Sequence, residues 1–401
     1  MISNRELFLR HVAQTSTAPL MLEIQEAKGV YLFGKSGKKY LDMISGISVS
    51  SLGHGHPEIV EAVKHQAEKF MHLMVYGEYA QYPQSELAHL LSENLPASLN
   101  SCYFVNSGAE ATEGAMKLAK KVTGRSEIIY CKSSYHGSSQ GALSIMGDEY
   151  FKQNFRPLLP DCKMIEYGNS SDIEKISKKT ACIFIEPVQA ESGVTVPPEE
   201  YLQSIRKKCD ETGALLVFDE IQTGMGRTGT LFAFEQSGVV PDILLLAKAL
   251  GGGMPIGTFI ASKNLMDNFT DNPVLGHITT FGGHPVSCAA AKASLKVILR
   301  EKLWENALRL EALFKKELKH QKIVSFRSKG ALMAIEFESE KFNRDVISKC
   351  IESGLITDWF LFAPHCLRLA PPLIMDLETA KKASQIILQA IEETALNEKT
   401  A

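Results

Sequence analysis

Residues 214–229 read ALLVFDEIQTGMGRTG, and residues 242–253 read DILLLAKALGGG. In each stretch a short and almost continuous apolar run is followed closely by an ionisable side chain, Asp219 in the first and Lys248 in the second. Short apolar runs of this kind are typical of strands that a parallel sheet buries on both faces. The two stretches therefore predict strands of an α/β fold, in which ligands bind beyond the carboxyl ends of the strands.

Similar apolar runs recur along the middle of the chain and are separated by helical stretches. They lie at residues 102–105, 127–131, 163–167, 181–185, 214–218, 242–246 and 256–261. This alternation predicts a mostly parallel seven-stranded sheet covered by helices on both faces. Beyond about residue 295 the helices and strands follow another order, which predicts a smaller α+β domain. We expect residues 1–50 to join that small domain, residues 51–295 to form the large domain and residues 296–401 to form the small one.

The composition argues against several classes of protein. The chain has 401 residues, of which 22% are charged, and a net charge of −3, so it offers no dense basic surface for nucleic acid. No apolar run approaches the roughly 18 residues of a membrane span, and the N-terminus has no signal-peptide core. The eight scattered cysteines form no CxxC pair, which predicts neither a disulfide framework nor a metal site. We expect a cytoplasmic protein without a nucleic acid or membrane partner.

Three well-known motifs occur, and the surrounding sequence argues against each. Residues 29–36 match the P-loop pattern, but strand-forming residues and a second strand replace the expected helix, so we predict a hairpin. Residues 224–229 match the dinucleotide-binding pattern, but they start well after the strand and precede no amphipathic helix. Residues 137–141 match a nucleophile elbow, although Ser139 lies eight positions after Cys131, where the strand ends. A serine hydrolase at Ser139 remains an alternative from another class.

The residues that follow the predicted strands suit one cofactor. In chain order this edge of the sheet collects Ser107, Gly108, Ala109, Tyr135, Glu186, Glu191, Asp219, Gln222 and Lys248. A helix that begins with glycine binds phosphate well, a carboxylate can pair with a protonated pyridine nitrogen, and a desolvated lysine can form a Schiff base. Taken singly, each has a structural explanation, such as a capping box made by Ser107 and Glu110. Their coincidence at one edge predicts a site for pyridoxal phosphate (PLP).

Residues 218–229, followed by Pro241-Asp242 and residues 248–253, resemble the signature of the class III PLP-dependent aminotransferases, which include ornithine and acetylornithine aminotransferases. The resemblance extends from about Gly29 to Pro372. It implies fold type I, the PLP-dependent transferase architecture of aspartate aminotransferase, and an obligate homodimer.

The resemblance also implies a role for each site residue. Lys248 would form the Schiff base and move the proton, Asp219 would pair with the pyridine nitrogen, and Gln222 would hydrogen-bond the phenolic oxygen. The remaining cofactor contacts it implies are Glu186 behind the phenolic oxygen, Tyr135 and Ile221 on the two ring faces, Ser107, Gly108 and Ala109 at the phosphate, and Thr280 reaching the phosphate of the partner subunit. Arg368 would bind a substrate carboxylate, and Glu191 would pair with that arginine while an ω-amine is bound.

One position departs from the pattern of many acetylornithine, ornithine and 4-aminobutyrate enzymes. Ser138 stands where those enzymes commonly have an arginine for the distal carboxylate of 2-oxoglutarate. The pair of Glu191 and Arg368 still points to a donor of the ornithine type. We therefore predict a ping-pong aminotransferase that moves an ω-amino group from ornithine, N-acetylornithine or a similar donor to 2-oxoglutarate.

Other readings stay open at this point. Within the family, the donor could be 4-aminobutyrate or another ω-amine, or the enzyme could be a PLP aminomutase that keeps the amino group on one molecule. Outside the family, a catalytically silent binding protein is disfavoured because Lys248, Asp219 and Gln222 are all present.

Overall fold

The computed structural model of the chain describes residues 2–75 and 77–400. The strands are β1 Ile24–Lys28, β2 Tyr31–Gly34, β3 Lys39–Asp42, β4 Ser101–Val105, β5 Glu127–Cys131, β6 Cys162–Ile165, β7 Thr180–Ile185, β8 Leu215–Asp219, β9 Ile243–Leu246, β10 Gly257–Ala261, β11 Ser325–Lys329, β12 Leu332–Glu336, β13 Leu355–Ile356, β14 Asp358–Phe360 and β15 Ala363–Leu369. The α-helices are α1 Asn4–His11, α2 Ser45–Ser48, α3 Pro57–Lys69, α4 Tyr82–Glu93, α5 Gly108–Thr123, α6 Gln140–Ser144, α7 Tyr201–Thr212, α8 Lys263–Met266, α9 Pro285–Glu301, α10 Leu303–Glu317, α11 Glu340–Glu352 and α12 Leu377–Thr400.

The largest sheet has seven strands in the order β4-β10-β9-β8-β7-β5-β6. The pairs between β6 and β9 are parallel, and β10 runs antiparallel to both of its neighbours. Alternate residues of β7 belong to two hydrophobic clusters: Ile183 and Ile185 pack on one face, and Cys182 and Phe184 pack on the other. Because side chains of a strand alternate with a period of two, both faces of the sheet are covered. The predicted mostly parallel seven-stranded sheet is confirmed.

Two smaller sheets flank this one in sequence, with strand orders β1-β2-β3-β13 and β11-β12-β15-β14. In the first, β13 pairs in parallel with β3, so that Leu355 lies opposite Leu41. The N-terminal strands therefore share a sheet with a strand from the C-terminal part of the chain. The expected boundary between residues 295 and 296 falls inside α9, and the proposed division into domains stays a prediction, with its outermost residues 1 and 401 outside the described part.

Some predicted element bounds are wrong by one to two residues, for local reasons. The strand predicted at 163–167 ends at Ile165, because the next backbone N–H, of Glu166, donates to Asp172 instead of a strand, at 2.8 Å. The sequence also predicts a helix over residues 342–353, and this helix begins two residues earlier, at Glu340, because the Ser339 side chain caps it.

The rejected motifs form the structures that their surroundings predict. Residues 29–36 comprise β2 with the turns beside it and lead into the antiparallel strand β3, which confirms the hairpin. Residues 224–229 form an irregular turn whose Arg227 is buried and donates to the carbonyl oxygens of Ala331 (3.1 Å) and Pro371 (2.6 Å). This turn therefore ties the sheet to the C-terminal part of the chain.

Among the described residues, no helix combines the length and the apolar character that crossing a membrane requires.

Candidate active site

A cavity of about 480 Å³ opens at the carboxyl edge of the seven-stranded sheet. Nine of the residues predicted for the site line it: Ser107, Gly108, Ala109, Tyr135, Glu186, Asp219, Ile221, Gln222 and Lys248. They converge because each lies at, or shortly after, the carboxyl end of a strand of this sheet. Glu191, Arg368 and Thr280 are not part of the lining.

Lys248 follows β9 and begins a short 3-10 helix, Lys248–Gly251. Its backbone has φ +46°, in the left-handed region that side chains other than glycine rarely adopt, so the surrounding fold must hold it there. Burial lowers the pKa of the Lys248 amine, and the nearby guanidinium of Arg368 does the same, against the opposing charges of Glu191 and Asp219. A lowered pKa increases the neutral amine fraction, which is the nucleophilic form.

Asp219 ends β8, and its side chain is held by a histidine that we did not single out from the sequence. Nδ1 of His136 lies 2.7 Å from Oδ2 of Asp219, and both side chains are buried. Burial by itself would lower the pKa of His136, but the hydrogen bond and the charge of Asp219 raise it above its ordinary value. In the sequence, the only indication that His136 belongs to the site is its position between Tyr135 and Gly137, a few residues after β5.

Glu186 follows β7 and lies close to the same group. Its carboxylate accepts hydrogen bonds from the backbone N–H of Tyr135 (3.2 Å) and of Ala190 (3.1 Å). Burial, followed by the negative charge of Asp219, raises the pKa of Glu186 to about 7, although His136 acts in the opposite direction. Burial therefore favours the protonated form of Glu186 more than it would for an exposed glutamate.

The start of α5 lines the cavity, and its capping differs from the predicted capping box. Ser107 caps the helix and accepts from the Glu110 N–H at 3.2 Å, but the Glu110 side chain bonds to the backbone of Asn106 (2.8 Å) instead of completing the capping box. The first N–H groups of an α-helix have no partner within the helix. A Cβ on Gly108 would lie 2.7 Å from Cδ1 of Ile221, so a larger residue here would force the Ile221 side chain to move.

Arg368 and Glu191 form a buried two-point ion pair behind the cavity wall. Nη1 and Nη2 of Arg368 donate to the two carboxylate oxygens of Glu191 at 2.8 and 2.9 Å. The Gln222 amide touches both partners and also lines the cavity. Burial would raise the pKa of Glu191, but the charge of Arg368 lowers it to about 2, so the pair is ionised. A second carboxylate, Asp358, also adjoins Arg368, and no sequence pattern pointed to it.

The neighbouring residues Ser138 and Ser139 bear on the choice between an aminotransferase and a serine hydrolase. Ser138 and Tyr135 line the cavity together, and their hydroxyl oxygens lie 3.2 Å apart. Ser139 donates to Glu113 at 2.6 Å, while the nearest histidine in sequence, His136, is engaged by Asp219. Among the described residues no histidine hydrogen-bonds Ser139, so a serine nucleophile here would have no histidine base, and the hydrolase alternative loses its support.

Thr280 lies on the surface of this chain, away from the cavity lining. Its neighbour Thr279 accepts a hydrogen bond from Asn106 Nδ2 at 2.9 Å, next to the start of α5. The contribution of Thr280 to a partner's site stays a prediction.

Comparison with known proteins gives consistent matches. The family model described as aminotransferase class-III matches residues 12–391. The acetylornithine aminotransferase of Methanopyrus kandleri is 39% identical to this chain, in an alignment that covers 95% of this chain and 96% of the relative. The acetylornithine aminotransferase of Clostridium acetobutylicum is 37% identical, and the alignment covers 92% of this chain and 95% of that relative. Among solved structures, the ornithine aminotransferase of Toxoplasma gondii superposes with a TM-score of 0.91 at 31% identity, covering 98% of this chain and 94% of that one. The structure of a transaminase from the marine bacterium Virgibacillus superposes with a TM-score of 0.91 at 28% identity, covering 98% of this chain and 99% of that one.

Proposed function

The chain belongs to the class-III aminotransferases, and from this premise we propose that it uses PLP to move an ω-amino group to 2-oxoglutarate by a ping-pong mechanism. The proposed donor is ornithine, N-acetylornithine or a similar amine, as the names of its relatives suggest. The observation that carries the proposal is the convergence of Lys248, Asp219 and the start of α5 on one cavity.

The residues of the cavity fit PLP by their chemistry. The helix start at Gly108 suits a phosphate, the carboxylate of Asp219 suits a pyridinium nitrogen, and the amine of Lys248 suits an aldehyde. The Toxoplasma gondii structure is described as having PLP at its active site. When bound, PLP would supply an electron sink beside the substrate carbon that loses a proton.

Asp219 and Lys248 would perform the two central tasks. Asp219, oriented by His136, would keep a proton on the pyridine nitrogen, because a buried carboxylate stabilises a positive charge close to it. Lys248, with its lowered pKa, would accept the proton from the substrate carbon and return it one position away.

The other lining residues would fix the cofactor in place. We infer that Tyr135 and Ile221 pack on the two ring faces, and that Gln222 donates to the phenolic oxygen with Glu186 behind it. The phosphate would be held by Ser107, Gly108 and Ala109, together with Thr280 of a second subunit in a homodimer.

The ion pair of Glu191 and Arg368 would let one site accept two kinds of substrate. While an ω-amine is bound, Glu191 would neutralise the guanidinium, so that no unpaired charge is buried. When an oxo acid binds, its carboxylate would replace Glu191 and take the same planar two-point contact.

A second candidate has another ω-amine as the donor, because Ser138 distinguishes this chain from the many acetylornithine, ornithine and 4-aminobutyrate enzymes that have an arginine there. The neutral hydroxyl of Ser138 lines the cavity and bonds to Tyr135, and so it gives a substrate carboxylate at that point no cation to bind. The alternatives of 4-aminobutyrate as the donor and of an aminomutase are distinguished by the same experiment.

The test is the visible absorption spectrum of the purified protein after incubation with PLP. We expect a yellow band that bleaches on addition of the true donor, so ornithine, N-acetylornithine and 4-aminobutyrate should be added in separate samples. Recovery of the band with 2-oxoglutarate would support the ping-pong order. Recovery without any oxo acid would support the aminomutase, and the absence of any band would refute the cofactor assignment.

Lys248→Ala should abolish turnover and the bleaching, while the thermal unfolding midpoint changes little. Lys263→Ala is the matched control, because this exposed lysine pairs only with Asp267 on the surface among the contacts described. Transamination by Lys248→Ala at near the parental rate would contradict the proposal.

A further inference from the structure

We propose that Asp358 is a specificity-determining residue, whose carboxylate beside Arg368 weakens the binding of substrate carboxylates to that guanidinium. This inference deepens the proposed function and rests on it in one respect, that Arg368 is the receptor for a substrate carboxylate.

Two of the three nitrogen atoms of Arg368, Nη1 and Nη2, donate hydrogen bonds. Nη1 donates to Glu191 (2.8 Å) and Gln222 (3.3 Å), and Nη2 donates to Glu191 (2.9 Å) and to the carbonyl oxygen of Trp359 (2.9 Å). The third nitrogen, Nε, lies 2.9 Å from Oδ1 of Asp358, which is an ion-pair distance, although the two atoms are not aligned for a hydrogen bond. If Glu191 leaves, the Nη edge becomes available to a substrate, while Asp358 stays on the opposite side.

Asp358 lies in a strand whose pairing with Arg368 sets its position. Asp358 lies directly opposite Arg368 in the antiparallel pair of β14 and β15, so their side chains emerge on the same face. The hydroxyl of Thr357 also donates to the carbonyl oxygen of Arg368 at 2.6 Å. Glu191, in contrast, lies in a turn after β7. The Glu191 carboxylate can move away from Arg368 only by breaking its hydrogen bonds with Arg368, Gln222 and the Leu361 N–H.

The charges in this group do not balance. One guanidinium faces two carboxylates, and the Arg368 side chain is only 3% exposed while that of Asp358 is 24% exposed. An incoming substrate carboxylate that replaces Glu191 would meet a guanidinium whose charge Asp358 already offsets, and like charges close together are unfavourable. Asp358 would therefore lower the affinity for any substrate that places a carboxylate there, and it would leave the amine end of a donor unaffected.

Asp358 is ionised at mildly alkaline pH. Burial, followed by the charges of Glu191 and Asp42, raises its pKa to about 6, although Arg368 acts in the opposite direction. Measurements at pH 8 therefore compare a charged Asp358 with its neutral replacement.

The test is the Kd of glutarate, an unreactive dicarboxylate, measured by calorimetry with the PLP-loaded protein at pH 8. Asp358→Asn removes the charge and keeps the size of the side chain, so we expect glutarate to bind about 3- to 10-fold more tightly. Asp358→Glu keeps the charge and should stay within about twofold of the parent. Asp345→Asn, which removes an exposed carboxylate paired with Lys341, is the matched control and should change nothing.

A glutarate Kd that is unchanged or weaker in Asp358→Asn overturns the proposal, because the residue would then serve only as an anchor. Asp358→Ser, also neutral but smaller, provides the same comparison if the asparagine variant does not fold. In the reaction itself, the KM for 2-oxoglutarate should fall in Asp358→Asn while the KM for the amine donor stays constant. If the parent enzyme does not transaminate, the proposed function fails, and the glutarate titration still decides the role of Asp358.

Discussion

His136 and Asp219 lie 83 positions apart in the sequence, and their side chains meet at 2.7 Å in the buried part of the site. Nε2 of His136 is also buried and has no hydrogen-bond partner among the described residues. Leaving a buried polar atom unpaired costs free energy, so a second interaction must favour this arrangement. The strong contact between the imidazole and Asp219 provides it, and we infer that His136 is a positioning residue for Asp219.

At this scale we predict that His136→Ala weakens PLP binding. The Asp219 carboxylate would lose a charge-assisted hydrogen bond, and we expect the Kd for PLP to rise about tenfold. Fluorescence titration of the cofactor-free protein measures this change. His136→Asn, whose amide can donate to Asp219, should recover part of the affinity, and His89→Ala, which alters an exposed histidine, should have no effect. An unchanged Kd in His136→Ala would show that Asp219 does not depend on this contact.

At the scale of elements, α5 connects the site to the sheet. Its first turn faces the cavity, and further along Gly114 packs against the ring of Phe259 in β10, where a Cβ would overlap the ring. Alanine is otherwise preferred over glycine within a helix, by about 1 kcal/mol. The close approach of helix and sheet therefore explains the glycine.

We expect Gly114→Ala to lower the free energy of unfolding by about 1–2 kcal/mol, because overpacking typically costs about 1–3 kcal/mol and exceeds the gain in helix propensity. Denaturant unfolding of the cofactor-free protein measures the difference. Phe259→Leu creates space at the same contact, so the double variant should be more stable than the two single changes predict. A stabilised Gly114→Ala would mean that α5 can move away from β10 at little cost.

At the scale of the whole molecule, exposed apolar side chains lie in two adjoining segments, one that includes Met71 and Tyr82 and one that includes Val274 and Phe281. Met71 and Tyr82 are 67% and 82% exposed, and Val274 and Phe281 are 70% and 52% exposed. The segments adjoin, since the rings of His72 and Phe281 lie 4.9 Å apart. A large exposed apolar area of this kind marks an interaction surface, and it includes the neighbour of Thr280.

We predict that the chain is a homodimer through this surface, and that the dimer completes the phosphate site. Sedimentation equilibrium should give twice the chain mass for the parent and a shift toward monomer for Phe281→Asp, because the change buries a charge in the interface. Tyr150→Asp, at a 74% exposed position outside these segments, should remain dimeric. Thr280→Ala should stay a dimer and bind PLP more weakly. A monomeric parent with full activity would contradict this prediction.

The sequence determined the seven-stranded sheet and the residues along its carboxyl edge. Apolar runs are local features, so they reveal a strand and the side chain that follows it without knowledge of the partner strand. Asp219, Glu186 and Lys248 could be selected in this way, and they line the same cavity. The sequence also resembled one family along almost its whole length, and the family comparison confirms this.

The tertiary structure alone decided which distant side chains meet. Glu191 and Arg368 are 177 positions apart, and the resemblance suggested their pairing, but the position of Asp358 beside them depends on the register of β14 against β15. The contact between His136 and Asp219 likewise depends on the parallel order of β5, β7 and β8. Register and strand order arise from packing across the whole molecule, and so a local pattern of residues cannot specify them.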